Sequence, residues 1–292
     1  MQLGASIRFP KLGIEIENLG TGIDFFGIQI AYYGIIIAIG MLVGYLLVEW
    51  QAKRTGQNKE MYLDFALYAI VISVIGARLY YVVFAFDEFK DNLWSVFNLR
   101  GGGLAIYGGI IAGVLTAVVF AKVKKVSFAL LADTSCVGLL IGQIIGRWGN
   151  FFNREAFGGY SDGLLAMQIK KAEVATSNIS ADLMNHLVVV DGVEYIQVHP
   201  TFLYESLWNL ALLIIILLYT NHKKFNGELT LIYALGYGIG RAWIESLRTD
   251  QLLLWGTNIP VSELLSIGVA VVAACLLIYK HVMIYKHKKK DA

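Results

Sequence analysis

The chain has 292 residues, of which 57% are apolar and 16% are charged, whereas soluble proteins average about 45–50% and about 25%. This composition excludes an ordinary soluble domain. The net charge of +2 gives no indication of a nucleic-acid partner, and two cysteines are too few for a disulfide framework.

Apolar blocks long enough to cross a bilayer follow one another along the chain. They cover residues 28–48, 62–86, 103–121, 128–146, 201–219, 228–246 and 261–279. Backbone groups in lipid must satisfy their own hydrogen bonds, and these blocks do not alternate apolar with polar residues, so we expect helices. The sequence predicts an all-α, polytopic membrane protein, in which seven transmembrane helices form a single domain over residues 1–292.

Lysine and arginine are unequally divided between alternate connecting segments. The segments 49–61, 122–127, 220–227 and 280–292 hold 13 of them in 40 residues, and the other connecting segments hold 9 in 111. Because basic segments stay in the cytoplasm, we expect the C-terminus inside and the N-terminus outside.

The connection 147–200 is too long for a simple loop. Within it, apolar residues on both sides of Asp191-Gly192 indicate a β-hairpin. We therefore expect 147–200 to form a small extracytoplasmic head, inserted between the fourth and fifth spans.

Four polar strings lie at the predicted outer ends of the spans, at 101–109, 146–158, 199–206 and 237–250. A charged side chain in lipid costs at least about 2.5–3.5 kcal/mol on insertion scales, so Arg78 and Arg241 each need a partner, a cavity or a function. For Arg78, a structural ion pair is as good an interpretation as a function. The glycines of 101–109 could equally serve tight helix packing. Convergence of all four strings on one face nevertheless favours a site there.

The last string places Tyr237, Arg241, Glu245 and Arg248 on one face if the helix continues through it. Two guanidinium groups beside a carboxylate would suit a phosphate group. The alternative is an ion-paired helix end.

The string 146–155, Gly-Arg-Trp-Gly-Asn-Phe-Phe-Asn-Arg-Glu, resembles the signature of bacterial prolipoprotein diacylglyceryl transferases. The blocks 199–205 and 237–250 resemble further blocks of that family in the same order. The resemblance implies transfer of the sn-1,2-diacylglyceryl group of phosphatidylglycerol to the lipobox cysteine thiol of a prolipoprotein. A thioether forms and glycerol 1-phosphate is released, as the first step of lipoprotein maturation.

Carried over by position, the resemblance implies that Arg147 and Arg241 are catalytic. It implies binding of phosphatidylglycerol by Arg147 and by Tyr33, Asn150, Glu155, Gly158, Tyr237, Glu245 and Arg248. His199 and Glu205 are further candidates, although a lone histidine at such a helix start is more often structural. Tyr107, the third catalytic candidate, stands where many members have a histidine that has been considered the base; either the base lies elsewhere, or proton removal does not require this position. A tyrosine has an ordinary pKa near 10 and is a poor base at neutral pH.

The resemblance implies no metal and no other cofactor. The expected partners are phosphatidylglycerol, lipobox signal peptides of prolipoproteins and membrane lipid, with no nucleic acid, and the protein is expected to be monomeric. It should lie in the bacterial cytoplasmic membrane with its site toward the outer leaflet. The alternative function is a lipid or solute transporter with intramembrane arginines, although no inverted repeat is apparent.

Overall fold

The computed structural model describes residues 4–98, 102–257 and 259–290. Two compact units are present. The first comprises Met1–Gly44, Leu139–Lys223 and Glu228–Ala292, and the second comprises Tyr45–Gly138 and Lys224–Gly227. Gly101, which begins the predicted glycine string, lies outside the described residues.

The described chain is mostly helical, as predicted. Its α-helices are α1 (Tyr32–Arg54), α2 (Lys59–Phe84), α3 (Ile106–Lys124), α4 (Phe128–Asn153), α5 (Ala181–Asn185), α6 (Thr201–Tyr219), α7 (Glu228–Glu245) and α8 (Val261–Lys290). Local signals set several ends: the Asn58 side chain accepts a hydrogen bond from the Glu60 amide at the start of α2, and Pro200 precedes α6.

Among the described residues, six helices are long and apolar enough to cross a membrane. They are Tyr32–Arg54, Lys59–Phe84, Ile106–Lys124, Phe128–Asn153, Thr201–His222 and Val261–Lys289. The chain is thus a polytopic membrane protein. Helix α7 forms where a further span was predicted. It is only 18 residues long and carries ionisable residues, and it is not among these six helices. The first span begins later than residue 28, because Ile28–Ala31 is a β-strand.

The first unit contains a five-stranded antiparallel sheet. Its strands are β1 (Ile7–Phe9), β2 (Ile14–Ile16), β5 (Met167–Lys170), β6 (Val188–Val190) and β7 (Val193–Val198), in the order β2-β1-β5-β7-β6. Strands β3 (Gly22–Phe25) and β4 (Ile28–Ala31) form a separate hairpin that leads into α1.

Strands β6 and β7 pair around Asp191-Gly192, with Val190 opposite Val193. Both turn residues have positive φ, 51° and 78°, as a two-residue hairpin requires. The extracytoplasmic position of this hairpin stays a prediction.

Strand β1 joins the sheet beside β5, with Ile7 opposite Ile169. No sequence pattern indicated this pairing, which brings an N-terminal segment into the predicted head. The hydrophobic core beneath is shared by the sheet and the ends of α4 and α6, and it contains Ile7, Phe9, Phe151, Phe157, Met167, Ile169, Val174, Leu183, Ile196, Val198 and Phe202.

In the second unit, α2 and α3 pack closely through glycines. A Cβ on Gly76 would lie 2.3 Å from Cβ of Ala112, and one on Gly108 would lie 2.3 Å from Cβ of Tyr80. Both distances are too short for any side chain, so tight packing accounts for Gly108 of the predicted glycine string.

Arg78 lies in α2, is only 7% exposed and is held by backbone carbonyls. Its Nε donates to Val96 at 2.7 Å, Nη1 donates to Gly102 and Gly103 at 2.9 Å, and Nη2 donates to Ser95 at 2.8 Å and Asn98 at 3.0 Å. These five bonds use all five N–H donors of the guanidinium. Arg78 therefore has a structural role, but through carbonyls rather than the ion pair that was considered.

Candidate active site

A buried carboxylate joins two arginines from different helices. Glu205 on α6, 4% exposed, accepts from Nη1 of Arg241 on α7 and pairs through Oε2 with Nε of Arg147 on α4. The Arg147 and Arg241 side chains are 23% and 13% exposed. The two arginines predicted to be catalytic are thus brought together by Glu205, which was only a further candidate. We call Arg147, Arg241 and Glu205 the bridged arginine pair.

Glu245, at the end of α7, extends this cluster. Its Oε2 lies 2.5 Å from Nη2 of Arg241 and 3.9 Å from Nε of Arg248. Asp250 takes two hydrogen bonds from Arg248, at 2.9 Å and 2.7 Å. Together with the bridged arginine pair, this places three guanidinium groups and three carboxylates in one network.

The Arg248–Asp250 pair lies outside the apolar helices, and each partner favours the charged form of the other. Burial lowers the pKa of Arg248, but the hydrogen bonds and charge of Asp250, together with the charges of Glu245 and Glu205, raise it above the ordinary value. Burial raises the pKa of Asp250, but Arg248 holds it below its ordinary value. Both groups are therefore charged at neutral pH.

One predicted feature of this region is wrong. Helix α7 ends at Glu245, so Arg248 does not lie on a continued helical face with Tyr237 and Arg241. Arg248 instead forms an isolated antiparallel bridge with Gly158. Asp250 was also not singled out as a partner, although its position two residues after Arg248 was a usable signal.

Two tyrosines lie against α4 near the signature string. Tyr237 is a hydrogen-bonding neighbour of Arg147, and its ring stacks on that of Tyr233 at 5.7 Å. Tyr33 on α1 packs against α4, where a Cβ on Gly149 would lie 2.6 Å from its ring. The glycine of the signature string therefore makes room for the ring of Tyr33.

The chain that follows α4 presents Glu155. Nδ2 of Asn150 and Nδ2 of Asn153 donate to Oε1 of Glu155 at 3.2 Å and 3.1 Å. The Glu155 amide also donates to the Asn150 carbonyl at 3.1 Å. Three polar residues of the signature string are thus joined by hydrogen bonds at the end of α4.

Gly158 lies where three segments of the first unit meet. Its amide donates to the His199 carbonyl at 2.9 Å, and the next amide donates to the Leu247 carbonyl at 2.9 Å. A Cβ on Gly158 would lie 2.8 Å from Cβ of His199 and 2.9 Å from the Leu247 oxygen. Only glycine fits this crossing, which brings the strings 146–158, 199–206 and 237–250 together.

His199 contributes mainly its backbone to this crossing. Its Nδ1 lies 3.3 Å from the hydroxyl of Tyr204, and burial lowers its pKa below the ordinary value. A role of the His199 side chain in binding or catalysis stays a prediction.

Tyr107 lies in the first turn of α3, in the second unit, and is half-buried. Its catalytic role stays a prediction. Within the described ranges, no three His, Cys, Asp or Glu side chains are grouped as a metal site would require.

The network in the first unit is suited to an anion with several oxygens. Guanidinium groups donate in a planar fork that matches carboxylate or phosphate, and Arg241 uses two of its five N–H groups on described carboxylates. The carboxylates already hold the arginines in place, and an entering phosphate could accept hydrogen bonds from the same guanidinium N–H groups.

Comparisons with known proteins agree on one family. A family model described as prolipoprotein diacylglyceryl transferase matches residues 22–279. A phosphatidylglycerol–prolipoprotein diacylglyceryl transferase of Oceanobacillus iheyensis is 41% identical over 247 residues, covering 84% of this chain and 82% of that protein. A protein of the same name from Clostridioides difficile is 42% identical, and the match covers 75% of this chain and 79% of that protein. One from Listeria innocua is 41% identical, and the match covers 85% of this chain and 84% of that protein.

Proposed function

This chain belongs to the prolipoprotein diacylglyceryl transferase family, and from this premise we propose how its residues carry out the reaction. It is a multi-pass bacterial membrane enzyme that transfers a diacylglyceryl group from phosphatidylglycerol to prolipoproteins. The observation that carries the residue assignment is the bridged arginine pair, with Glu205 between Arg147 and Arg241.

The acceptor is the thiol of a lipobox cysteine. Its sulfur attacks the glycerol carbon that bears the phosphate ester, the C–O bond breaks, and a thioether forms. The thiol proton leaves, and the bonding electrons stay with the phosphate, which departs as glycerol 1-phosphate with one more negative charge. Stabilising this charge is the main task of the site.

Arg147 and Arg241 bind the headgroup phosphate and stabilise the departing phosphate. Their guanidinium groups are held in place by Glu205 and Glu245, so no reorganisation is needed as the charge develops. In a site that excludes water, the interaction is stronger than in solution.

The remaining residues of the first unit bind and orient the lipid. Arg248 adds a third guanidinium, which Asp250 orients. The other residues assigned to phosphatidylglycerol are Tyr33, Asn150, Glu155, Gly158, Tyr237 and Glu245. His199 supports the crossing at Gly158 through its carbonyl.

Tyr107 is proposed as a further catalytic residue because it occupies the position of a histidine in many family members. A cysteine thiol has an ordinary pKa near 8.5, and nearby guanidinium groups increase its thiolate fraction. A Tyr107→Phe variant that keeps full activity would exclude proton transfer through its hydroxyl.

The arrangement in the membrane follows from the charge of the loops. Helix α7 is the seventh span, the N-terminus and the head over 147–200 face outward, and the C-terminus is cytoplasmic. The enzyme acts as a monomer, with its site toward the outer leaflet.

The direct test combines the purified protein, phosphatidylglycerol vesicles and a lipobox peptide, without added metal or nucleotide. We expect release of glycerol phosphate and a peptide heavier by one diacylglyceryl group. A peptide with serine in place of the cysteine, and vesicles of phosphatidylcholine alone, are the controls. Equal release with and without the cysteine thiol would contradict the proposed acceptor.

A further inference from the structure

The turn that carries Glu155 is held in an unfavourable backbone conformation on both sides. Arg154 has a φ of 53° and Ala156 has a φ of 56°, and the left-handed region is costly for residues with a side chain. Such conformations persist where surrounding contacts impose them. The direction of the Glu155 side chain therefore depends on what holds its two neighbours.

Arg154 is 6% exposed and has contacts to two distant segments. Its Nη2 lies 2.8 Å from Oε2 of Glu173 and also donates to the carbonyl of Leu19. The Ser6 hydroxyl donates to Oε1 of Glu173 at 3.1 Å and accepts from the Leu19 amide at 3.2 Å. We call Arg154, Glu173, Ser6 and Leu19 the Arg154 clamp.

Half of the clamp comes from a segment that the family model does not cover. Ser6 and Leu19 precede residue 22, where the match to the family begins. They flank β1 and β2, which are paired into the same sheet as β5. The N-terminal segment therefore supplies contacts next to the signature string, beyond what the family comparison describes.

We propose that Arg154 is a positioning residue for diacylglyceryl transfer, through which the N-terminal segment 4–21 holds the Arg154–Ala156 turn and aims Glu155 into the site. Arg154 acts through Glu155 and does not touch the substrate. This inference rests on the proposed function of Glu155 in binding phosphatidylglycerol.

The variants Arg154→Met and Arg154→Lys test the clamp in the full-length protein. Arg154→Met should lower kcat/KM about tenfold, because a small misplacement of a binding group is costly in rate. Arg154→Lys should recover part of this loss, since an ammonium group can pair with Glu173 but lacks the planar fork. Lys171→Met is the control: Lys171 directly follows β5 and forms a more exposed pair with Glu194 on β7, also at 2.8 Å, and its loss should leave the rate within twofold.

A merely structural role would not make the effect depend on Glu155. In a Glu155→Gln background, Arg154→Met should lower kcat/KM by less than twofold, because residues that act as one unit are not additive. Losses that multiply in the double variant, or an Arg154→Met enzyme with more than half of the normal rate, would overturn the inference.

Amide hydrogen exchange gives a readout that needs no activity. Exchange of residues 150–158 should accelerate at least fivefold in Arg154→Met and stay unchanged in Lys171→Met. Unchanged exchange in both variants overturns the clamp. Absence of transfer by the unaltered protein would instead contradict the proposed function, and the two failures are therefore distinguishable.

Discussion

Arg78 on α2 and Arg241 on α7 are both largely buried, but their hydrogen-bonding groups have different kinds of partner. Arg78 in the second unit donates all five of its hydrogen bonds to neutral backbone carbonyls. Arg241 in the first unit pairs with two buried carboxylates, Glu205 and Glu245.

The difference separates a structural arginine from one able to bind a ligand. The donors of Arg78 are fully used, and their acceptors belong to the backbone that they hold in place. The described ion pairs of Arg241 use two donors, and a phosphate could compete with a carboxylate for them. A buried arginine in a helix therefore indicates a site only when its partners can be exchanged.

The largest effect should follow from changing an exchangeable arginine. Arg241→Lys keeps the positive charge between Glu205 and Glu245, so the protein should stay folded, but it loses the planar fork. We expect kcat/KM for glycerol phosphate release to fall about 100-fold. Arg147→Lys should behave similarly. Rates within threefold of the unaltered enzyme for both would place the phosphate elsewhere.

The corresponding change at Arg78 should affect stability. Arg78→Met leaves five carbonyls without their donor, and we expect a loss of about 3 kcal/mol in the free energy of unfolding. Denaturant or thermal unfolding in detergent measures it. Lys90→Met, which breaks an exposed pair with Asp87, is the control and should be nearly neutral. An equally stable Arg78→Met protein would show that the carbonyl contacts contribute little.

A substitution at Gly158 tests whether the site in the first unit depends on the close backbone crossing there. Gly158→Ala would place a Cβ 2.8 Å from Cβ of His199 and 2.9 Å from the Leu247 oxygen, so the segment that pairs with Arg248 must shift. We expect about a tenfold loss in kcat/KM and a destabilisation of about 1–3 kcal/mol. Gly159→Ala is the control, because no atom lies within 4 Å of its added Cβ. Equal effects of the two substitutions would refute the steric explanation.

The smallest effect should come from the titration of His199. Burial lowers its pKa below the ordinary value of 6.5, so the unfolded chain binds the proton more readily. This contribution to stability is present above pH 6.5 and is lost as the pH falls below it. His199→Gln should therefore lose less stability between pH 7 and pH 5 than the unaltered protein. If the two proteins lose the same free energy of unfolding between pH 7 and pH 5, His199 makes no such contribution.

The elements that depend on local sequence patterns could be predicted from the sequence alone. Continuous apolar runs predicted the long helices because lipid leaves no other partner for their backbone. Asp191-Gly192 predicted the β6–β7 pairing because both turn residues tolerate positive φ. The signature string and the two further blocks indicated the family, and most of the candidate residues were named from them.

Strand pairs and ion pairs between residues far apart in the sequence are seen only in the tertiary structure. Nothing local marks the three-residue strand Ile7–Phe9 as a neighbour of β5, and nothing in the spacing joins Arg154 to Glu173. Glu205 on α6 joins Arg147 on α4 to Arg241 on α7. Arg78 has a structural role because backbone carbonyls accept all of its hydrogen bonds. The physical reason is that burying a charge requires nearby partners, whereas a one-dimensional pattern records the charge without recording which groups the fold brings to it.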